Sequence, residues 1–319
     1  MDTRKVAIIG DGAVGSSIAY TLMLGHVVNE IVIIDVNVDK AEGDALDMSD
    51  GMSFISVPKI IRAGDYSAIK GARMVIITAG AAQKPGETRL DLLKKNASIM
   101  GSILDNVKPN LDEDAIVLIV SNPVDILTYF AYRKLGVSSS RVFGSGTVLD
   151  TSRLKTAISE DTHIDPRSIH TMIVGEHGDS EVAVWSATSV GGLSLTEYCA
   201  KCGKCQDKNM ARLNALHDKV KNAAYTIIAK KGATNYAVAL AVSRIVSAVL
   251  NDEHSVLTVS ALLVNEFDGA LQDLYMSLPS VVSSVGVEKI LRPPYSAKEK
   301  EAILASGKAL KAKLADLPL

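Results

Sequence analysis

Near its start the chain places Gly10-Asp11-Gly12-Ala13-Val14-Gly15 between a strand-like run, Lys5-Val6-Ala7-Ile8-Ile9, and a helical pattern at Ile18, Ala19, Leu22 and Met23. Few folds can use such a stretch. A continuous β-branched run is expected of a strand buried on both faces. Gly10 permits a tight turn, Gly12 lets the backbone approach a pyrophosphate, and Gly15 lets the helix pack closely. A second apolar run, Ile31-Val32-Ile33-Ile34, ends at Asp35, twenty positions after Gly15. Strand, glycines, helix, strand and acid in this order predict a dinucleotide-binding unit. Free N–H groups at the helix start, including Ala13 and Val14, suit the phosphates. Asp35 suits a ribose diol and repels a 2′-phosphate, so NAD is expected over NADP. A glycine turn without ligand and a surface aspartate is the plain alternative. A protein-kinase loop is excluded, because no His-Arg-Asp or Asp-Phe-Gly element follows.

Further along, strands and helices alternate. Residues 72–78 and 115–120 read as buried strands, 91–107 and 124–135 as helices, and 142–143 as a short strand. This alternation predicts a doubly wound parallel sheet. Thr78, Ala79, Gly80, Val120 and Asn122 then fall at the carboxyl edge, where open α/β sheets bind ligands. Between them Gln83-Lys84-Pro85-Gly86-Glu87-Thr88-Arg89 is too polar for core and reads as a loop beside a strand end. After Gly144 the pattern changes. The reading is therefore α/β, a Rossmann-type domain over residues 1–144 and an α+β domain over 145–319. In the second part, 208–230 and 236–250 read as helices and 256–264 with 271–278 as an antiparallel layer. A final helix starts at Ser296, whose hydroxyl forms a capping box with Glu299. No linker separates the domains, which predicts tight packing with the site between them.

The remaining chemistry sits in the second part. The run 171–174 stops at Gly175, and His177 follows within Gly175-Glu176-His177-Gly178-Asp179. Glycines on both sides permit a sharp turn and leave room beside the imidazole. Histidine can both accept and donate a proton near neutral pH. The plain alternative is a structural histidine. Asp150 and Arg153 stand three apart and share a helix face. Alone they read as a helix-start carboxylate and its partner, and Arg89 as a solvated arginine.

Bulk properties exclude other classes. The net charge is −2, aromatics are 4% and no basic run appears, which argues against nucleic acid. No apolar run spans a membrane, and the chain runs directly into a strand, so no signal peptide and a cytoplasmic location are expected. The three cysteines sit together at Cys199, Cys202 and Cys205, which is not a secreted disulfide framework. A structural zinc needs four ligands, so no metal is expected there.

Together these motifs resemble the NAD-dependent L-lactate and malate dehydrogenases along essentially the whole chain, and within them the bacterial L-lactate branch. The carrying residues are Gly10-x-Gly12-x-x-Gly15, Gln83 to Arg89, Ser121-Asn122-Pro123-Val124-Asp125, Leu149-Asp150-x-x-Arg153 and Gly175 to Asp179. The resemblance implies reversible hydride transfer between NADH and pyruvate, giving L-lactate. It implies that Arg153 holds the substrate carboxylate, His177 carries the proton, and Asp150 fixes the imidazole. It implies that Arg89 closes over the site and polarises the carbonyl. It also implies that Asn122 positions the reacting oxygen near nicotinamide, and that Thr234 and Val238 lie beside substrate and nicotinamide.

Where the malate branch carries arginine, this chain has neutral Gln83, which would leave a second carboxylate unpaired. Pyruvate is therefore expected over oxaloacetate, with larger 2-oxoacids such as 2-oxoisocaproate as the alternative within the family. A non-catalytic dinucleotide-binding redox sensor is the alternative of another class, and it does not explain His177, Asp150 and Arg153 together. The resemblance also implies a homotetramer, with the helices carrying Val14 to Met23 and Tyr236 to Leu250 as candidate interfaces. Some relatives respond to fructose 1,6-bisphosphate through an arginine and a histidine. Here His170 matches, but Lys155 replaces the arginine, and the response stays open.

Overall fold

The computed structural model describes residues 4–81, 88–202, 211–315 and 317, and of Arg89 and Cys202 the backbone alone. The first part supplies strands β1 (Lys5–Ile9), β2 (Glu30–Ile34), β3 (Ile60–Ala63), β4 (Met74–Ile77), β5 (Ile116–Ile119) and β6 (Val142–Gly144). Helices α1 (Ala13–Leu24), α2 (Val38–Asp50), α3 (Arg89–Val107) and α4 (Val124–Leu135) lie between them. All six strands run parallel, in the order β6-β5-β4-β1-β2-β3. The order reverses between β1 and β4, so a crevice opens at their carboxyl ends. Ile9 pairs with Ile77 at the last rung, which sets Gly10 against Thr78 just beyond it.

The sheet is buried on both faces, as the unbroken apolar runs predicted. Ala7, Ile9, Val75, Ile77, Val117 and Ile119 pack on α3 and α4 through Leu93, Ala97, Met100 and Leu127. Val6, Ile8, Met74, Ile76 and Leu118 face the other way, onto Ile18 and Leu22 of α1 and onto Val242 and Ile245. Those last two belong to a helix of the second part.

The second part contains α5 (Val148–Thr162), the short strands β7 (Ile169–His170), β8 (Ile173–Val174), β9 (Val182–Ala183), β10 (Ser189–Val190) and β11 (Leu193–Ser194), and α6 (Leu195–Cys202). Then come α7 (Ala211–Lys231), α8 (Tyr236–Leu250), β12 (Ser255–Leu257), β13 (Ser260–Leu263), β14 (Leu274–Ser277), β15 (Ser280–Ser283), β16 (Gly286–Ile290) and α9 (Ala297–Leu314). Ser296 caps α9 by the expected box with Glu299.

One reading needs correction. The run 256–264 is not one strand. It divides at Thr258, whose carbonyl accepts from the Thr147 N–H at 3.0 Å, and its halves join different sheets. The antiparallel layer of β13 and β14 forms as expected, but as part of the main sheet. They pair antiparallel with each other, and Ser260 of β13 pairs with Gly144, which extends the parallel sheet from its β6 edge. The crossing is close: a Cβ on Gly146 would stand 2.5 Å from the Ser260 nitrogen. The expected division after residue 144 thus falls at the end of β6, and the main sheet continues across it.

Candidate active site

The glycine turn forms a cradle that side chains would fill. Gly10 has φ +103°, and a Cβ there would meet Ala79 nitrogen at 2.6 Å. A Cβ on Gly15 would lie 1.8 Å from the Gly10 carbonyl oxygen. Thr78 Oγ1 donates to that same oxygen at 2.8 Å. Gly12, at the start of α1, offers no side-chain cap, so the first N–H groups of the helix, with Ala13 exposed and Val14 half-buried, are left for a ligand. Asp35 follows β2 and accepts from the backbone N–H groups of Asp11 at 2.5 Å and Asn37 at 2.8 Å. The carboxylate expected to meet a ribose is thereby tied to the glycine turn. These features fit NAD.

His177 stands in the turn after β8, and four elements hold that turn. Gly175 (φ +96°) exchanges backbone hydrogen bonds with Ser277 of β14, at 2.9 and 3.1 Å. The Glu176 N–H donates to Ser306 Oγ of α9 at 2.9 Å. The His177 N–H donates to Asp125 Oδ2 of α4 at 2.8 Å, and Ser260 Oγ donates to the other Asp125 oxygen at 2.5 Å. Finally, His177 Nδ1 lies 2.6 Å from Asp150 Oδ2 of α5. A carboxylate only accepts, so Nδ1 carries the proton, and Nε2 is the nitrogen that can meet a substrate.

The electrostatics follow from this packing. Burial works against a charged imidazole, but the Asp150 carboxylate outweighs it, helped by Asp125 and Glu181, and His177 is pushed up to about 9. Burial alone would raise Asp150, which is 2% exposed, yet His177 and Arg153 hold it below the usual carboxylate range. Asp125 has weaker compensation. Burial pushes it up to about 6 despite the donors from Ser260 and His177.

A cavity of about 140 Å³ opens beside His177, lined among others by Val120, Asn122, Arg153, Thr234 and Val238. The first two come from the parallel sheet's edge and the rest from the second part, so the predicted groups converge where the two parts meet. Arg153 donates through Nη1 to Asp150 Oδ1 at 2.8 Å, which leaves its remaining N–H groups for an anion. Asp150 thus holds both functional groups, one with each oxygen. A larger cavity of about 360 Å³ lies at Glu266, Arg292 and Tyr295, away from these residues.

Gln83, the Arg89 side chain, the Cys202 side chain and Cys205 lie outside the described residues. Cys199 is half-buried on α6. Among the described residues no cluster of histidine, cysteine and carboxylates could hold a metal. Lys155 is half-buried on α5, where burial lowers its proton affinity, and His170 is exposed on β7.

Sequence reasoning missed three contributors. Asp125 was noted only within a motif, and Ser260 carried no local signal. Asn96 is 3% exposed on α3. It clamps Ala81 through Oδ1 (2.7 Å) and Nδ2 (3.3 Å), and Nδ2 also donates to the Asn122 carbonyl at 2.9 Å. An amide on the buried stripe of Leu93, Ala97 and Met100 was the available clue.

Comparison with known proteins covers the same two parts. The NAD-binding domain of lactate/malate dehydrogenase matches residues 4–144, and the alpha/beta C-terminal domain matches residues 147–317. The chain is 52% identical over 311 residues to L-lactate dehydrogenase 1 of Clostridium acetobutylicum, covering 97% of each. It is 48% identical over 318 residues to L-lactate dehydrogenase of Clostridium perfringens, covering 99% of this chain and 98% of that protein. Among solved structures, the ligands-bound minor L-lactate dehydrogenase from Enterococcus mundtii superposes with a TM-score of 0.95 at 45% identity, over the full length of both.

Proposed function

The chain belongs to the lactate/malate dehydrogenase family, and from that premise we infer that it is an NAD-dependent enzyme interconverting pyruvate and L-lactate. The observation that carries the residue roles is the shared carboxylate. One oxygen of Asp150 orients the proton carrier His177, and the other orients the carboxylate clamp Arg153.

In this reading Arg153 binds the substrate carboxylate and brings the 2-oxygen toward His177 Nε2. NAD, when bound, supplies the two-electron chemistry. His177 gives its proton to the 2-oxygen in pyruvate reduction and takes it back in lactate oxidation. Asp150 stabilises the charged ring and fixes its tautomer. Asn122 and Thr234 position the substrate, Val120 and Val238 supply apolar wall, and Arg89 adds charge stabilisation from the start of α3. Neutral Gln83 selects against a second substrate carboxylate.

Further parts of the proposal concern the assembly. Among the described residues no helix is long and apolar enough to cross a membrane, and we place the enzyme in the cytoplasm. Exposed apolar side chains on α1 (Tyr20, Leu24), α2 (Leu46) and α8 (Tyr236, Leu240) support a homotetramer. Lys155 and His170 are the proposed contacts for fructose 1,6-bisphosphate, with Lys155 acting as a point charge.

The test is NADH oxidation with pyruvate, oxaloacetate and 2-oxoisocaproate, each with and without fructose 1,6-bisphosphate, with His177→Asn as control. We expect preference for pyruvate and a loss of roughly 100- to 10,000-fold in the variant with NADH binding retained, and the arms with sugar phosphate decide whether Lys155 and His170 make a working site. Near-normal turnover by His177→Asn would remove the proposed mechanism, and a preference for oxaloacetate would remove the role of Gln83.

A further inference from the structure

The cofactor cradle and the substrate cavity are built on neighbouring strand ends, and one buried amide ties those ends together. Beyond β4 the N–H groups of Thr78 and Ala79 both donate to the Ile9 carbonyl, at 2.9 and 3.1 Å, so this segment rides on the end of β1 where the glycine turn begins. Beyond β5 the chain passes through Ser121 to Asn122, which lines the cavity beside His177. Asn96 of α3, 3% exposed, reaches both segments. Its Oδ1 accepts from the Ala81 N–H at 2.7 Å, and its Nδ2 donates to the carbonyls of Ala81 at 3.3 Å and Asn122 at 2.9 Å.

This amide has one orientation. A backbone N–H only donates and a carbonyl only accepts, so exchanging Oδ1 and Nδ2 would break all three bonds. A buried polar side chain with its contacts matched in this way specifies position as well as burial. Ser121 adds a second tie between the same segments, since its Oγ donates to the Ala79 carbonyl at 2.7 Å. The Asn122 side chain is oriented in turn. Its Oδ1 accepts from the Val124 N–H at 3.3 Å, so Nδ2 is the end left to donate elsewhere. An N–H donor suits the 2-oxygen of a keto acid. Hydride transfer needs the cofactor and the substrate carbon almost in contact, and a displacement of about 1 Å can cost about 100-fold.

We propose that Asn96 is a positioning residue for hydride transfer: with one amide it holds Ala81 and the Asn122 carbonyl, and so fixes Asn122 relative to the cofactor-side segment. Asn96 itself is not among the residues that line the cavity, and it acts through Asn122. The proposal rests on the reading of Asn122 as a group that positions substrate.

The test is single-turnover oxidation of NADH, equimolar with enzyme subunits, by excess pyruvate in the intact enzyme and in Asn96→Ala, Asn122→Ala and the double variant. The amplitude reports how much enzyme is folded and binds NADH, and the rate constant reports how well the reacting groups are placed. Asn96→Ala should keep the amplitude and lower the rate constant about 10- to 100-fold. The double variant should be no slower than Asn122→Ala alone, because both changes remove the same placement. Asn96→Asp keeps the side-chain size and the acceptor for Ala81 but loses the N–H donor to Asn122. It should show the same loss, and it serves where Asn96→Ala does not fold. A parent rate constant in a folded Asn96 variant overturns the proposal, and so does a fall in amplitude alone. Losses that multiply in the double variant overturn the route through Asn122. If Asn122→Ala kept the parent rate constant, the reading of the site itself would fail. A slow Asn122→Ala beside unimpaired Asn96 variants would overturn the positioning role alone.

Discussion

At His177 two demands conflict, since burial favours a neutral ring and the proposed role in reducing a keto acid requires a charged one. Asp150 decides the outcome, and the ring is pushed up to about 9. On the proposed mechanism pyruvate reduction uses the protonated ring, so its kcat/KM should hold to about pH 9 and fall above it. Lactate oxidation uses the neutral ring and should rise through the same range. Parallel profiles for the two directions, with chemistry limiting the rate, would remove His177 as proton carrier. A stability effect follows with its own sign. The folded value lies above the ordinary 6.5, so the contribution of His177 is complete below about 6.5 and lost as pH rises through about 9. His177 was legible because glycines and carboxylates frame it. Asp150 and Arg153 were legible as a helix-face pair, and the resemblance supplied their roles. That each takes one oxygen or one N–H of a single three-residue network was a matter of folding.

Elements with strong local patterns formed where the sequence placed them. The five residues of β1 and the four of β4 are all buried, and among them only Lys5, at the start of β1, is polar. Strand β3 was missed because it is an edge strand whose residues alternate in exposure and include Arg62. Strand β15 was missed because serines bound its two valines, and β16 because Glu288 and Lys289 break its apolar pattern. The junction of β1 and α1 depends most on one position. A methyl on Gly15 would collide with backbone at 1.8 Å, which no side-chain rearrangement relieves. Gly15→Ala should therefore cost about 3 kcal/mol in denaturant unfolding and weaken NADH binding. Parent-like values for both would show that β1 and α1 need not meet so closely.

For the molecule as a whole, the sheet continued across the expected division, and α8 from the second part covers the same sheet face as α1. The outer side of α8 leaves Tyr236 72% and Leu240 64% exposed. If copies of the chain cover this face, Leu240→Glu should convert the assembly to smaller species in sedimentation at micromolar concentration, through burial of an unpaired charge. Unchanged mass would place the interface elsewhere. The sequence by itself determined what depends on neighbours along the chain: the glycine turn, the buried strands, the cap of α9 and the cofactor class. Tertiary structure decided which distant side chains meet. Ser260 reaches Asp125 across 135 residues, and His177 reaches Asp150 across 27. Glu181, just before β9, comes within 3.5 Å of His217 because β9 and α7 share one core cluster. Such contacts have no local period to announce them. They are fixed by the burial of whole faces, which sets helices and strands against each other and leaves their polar residues to find partners there.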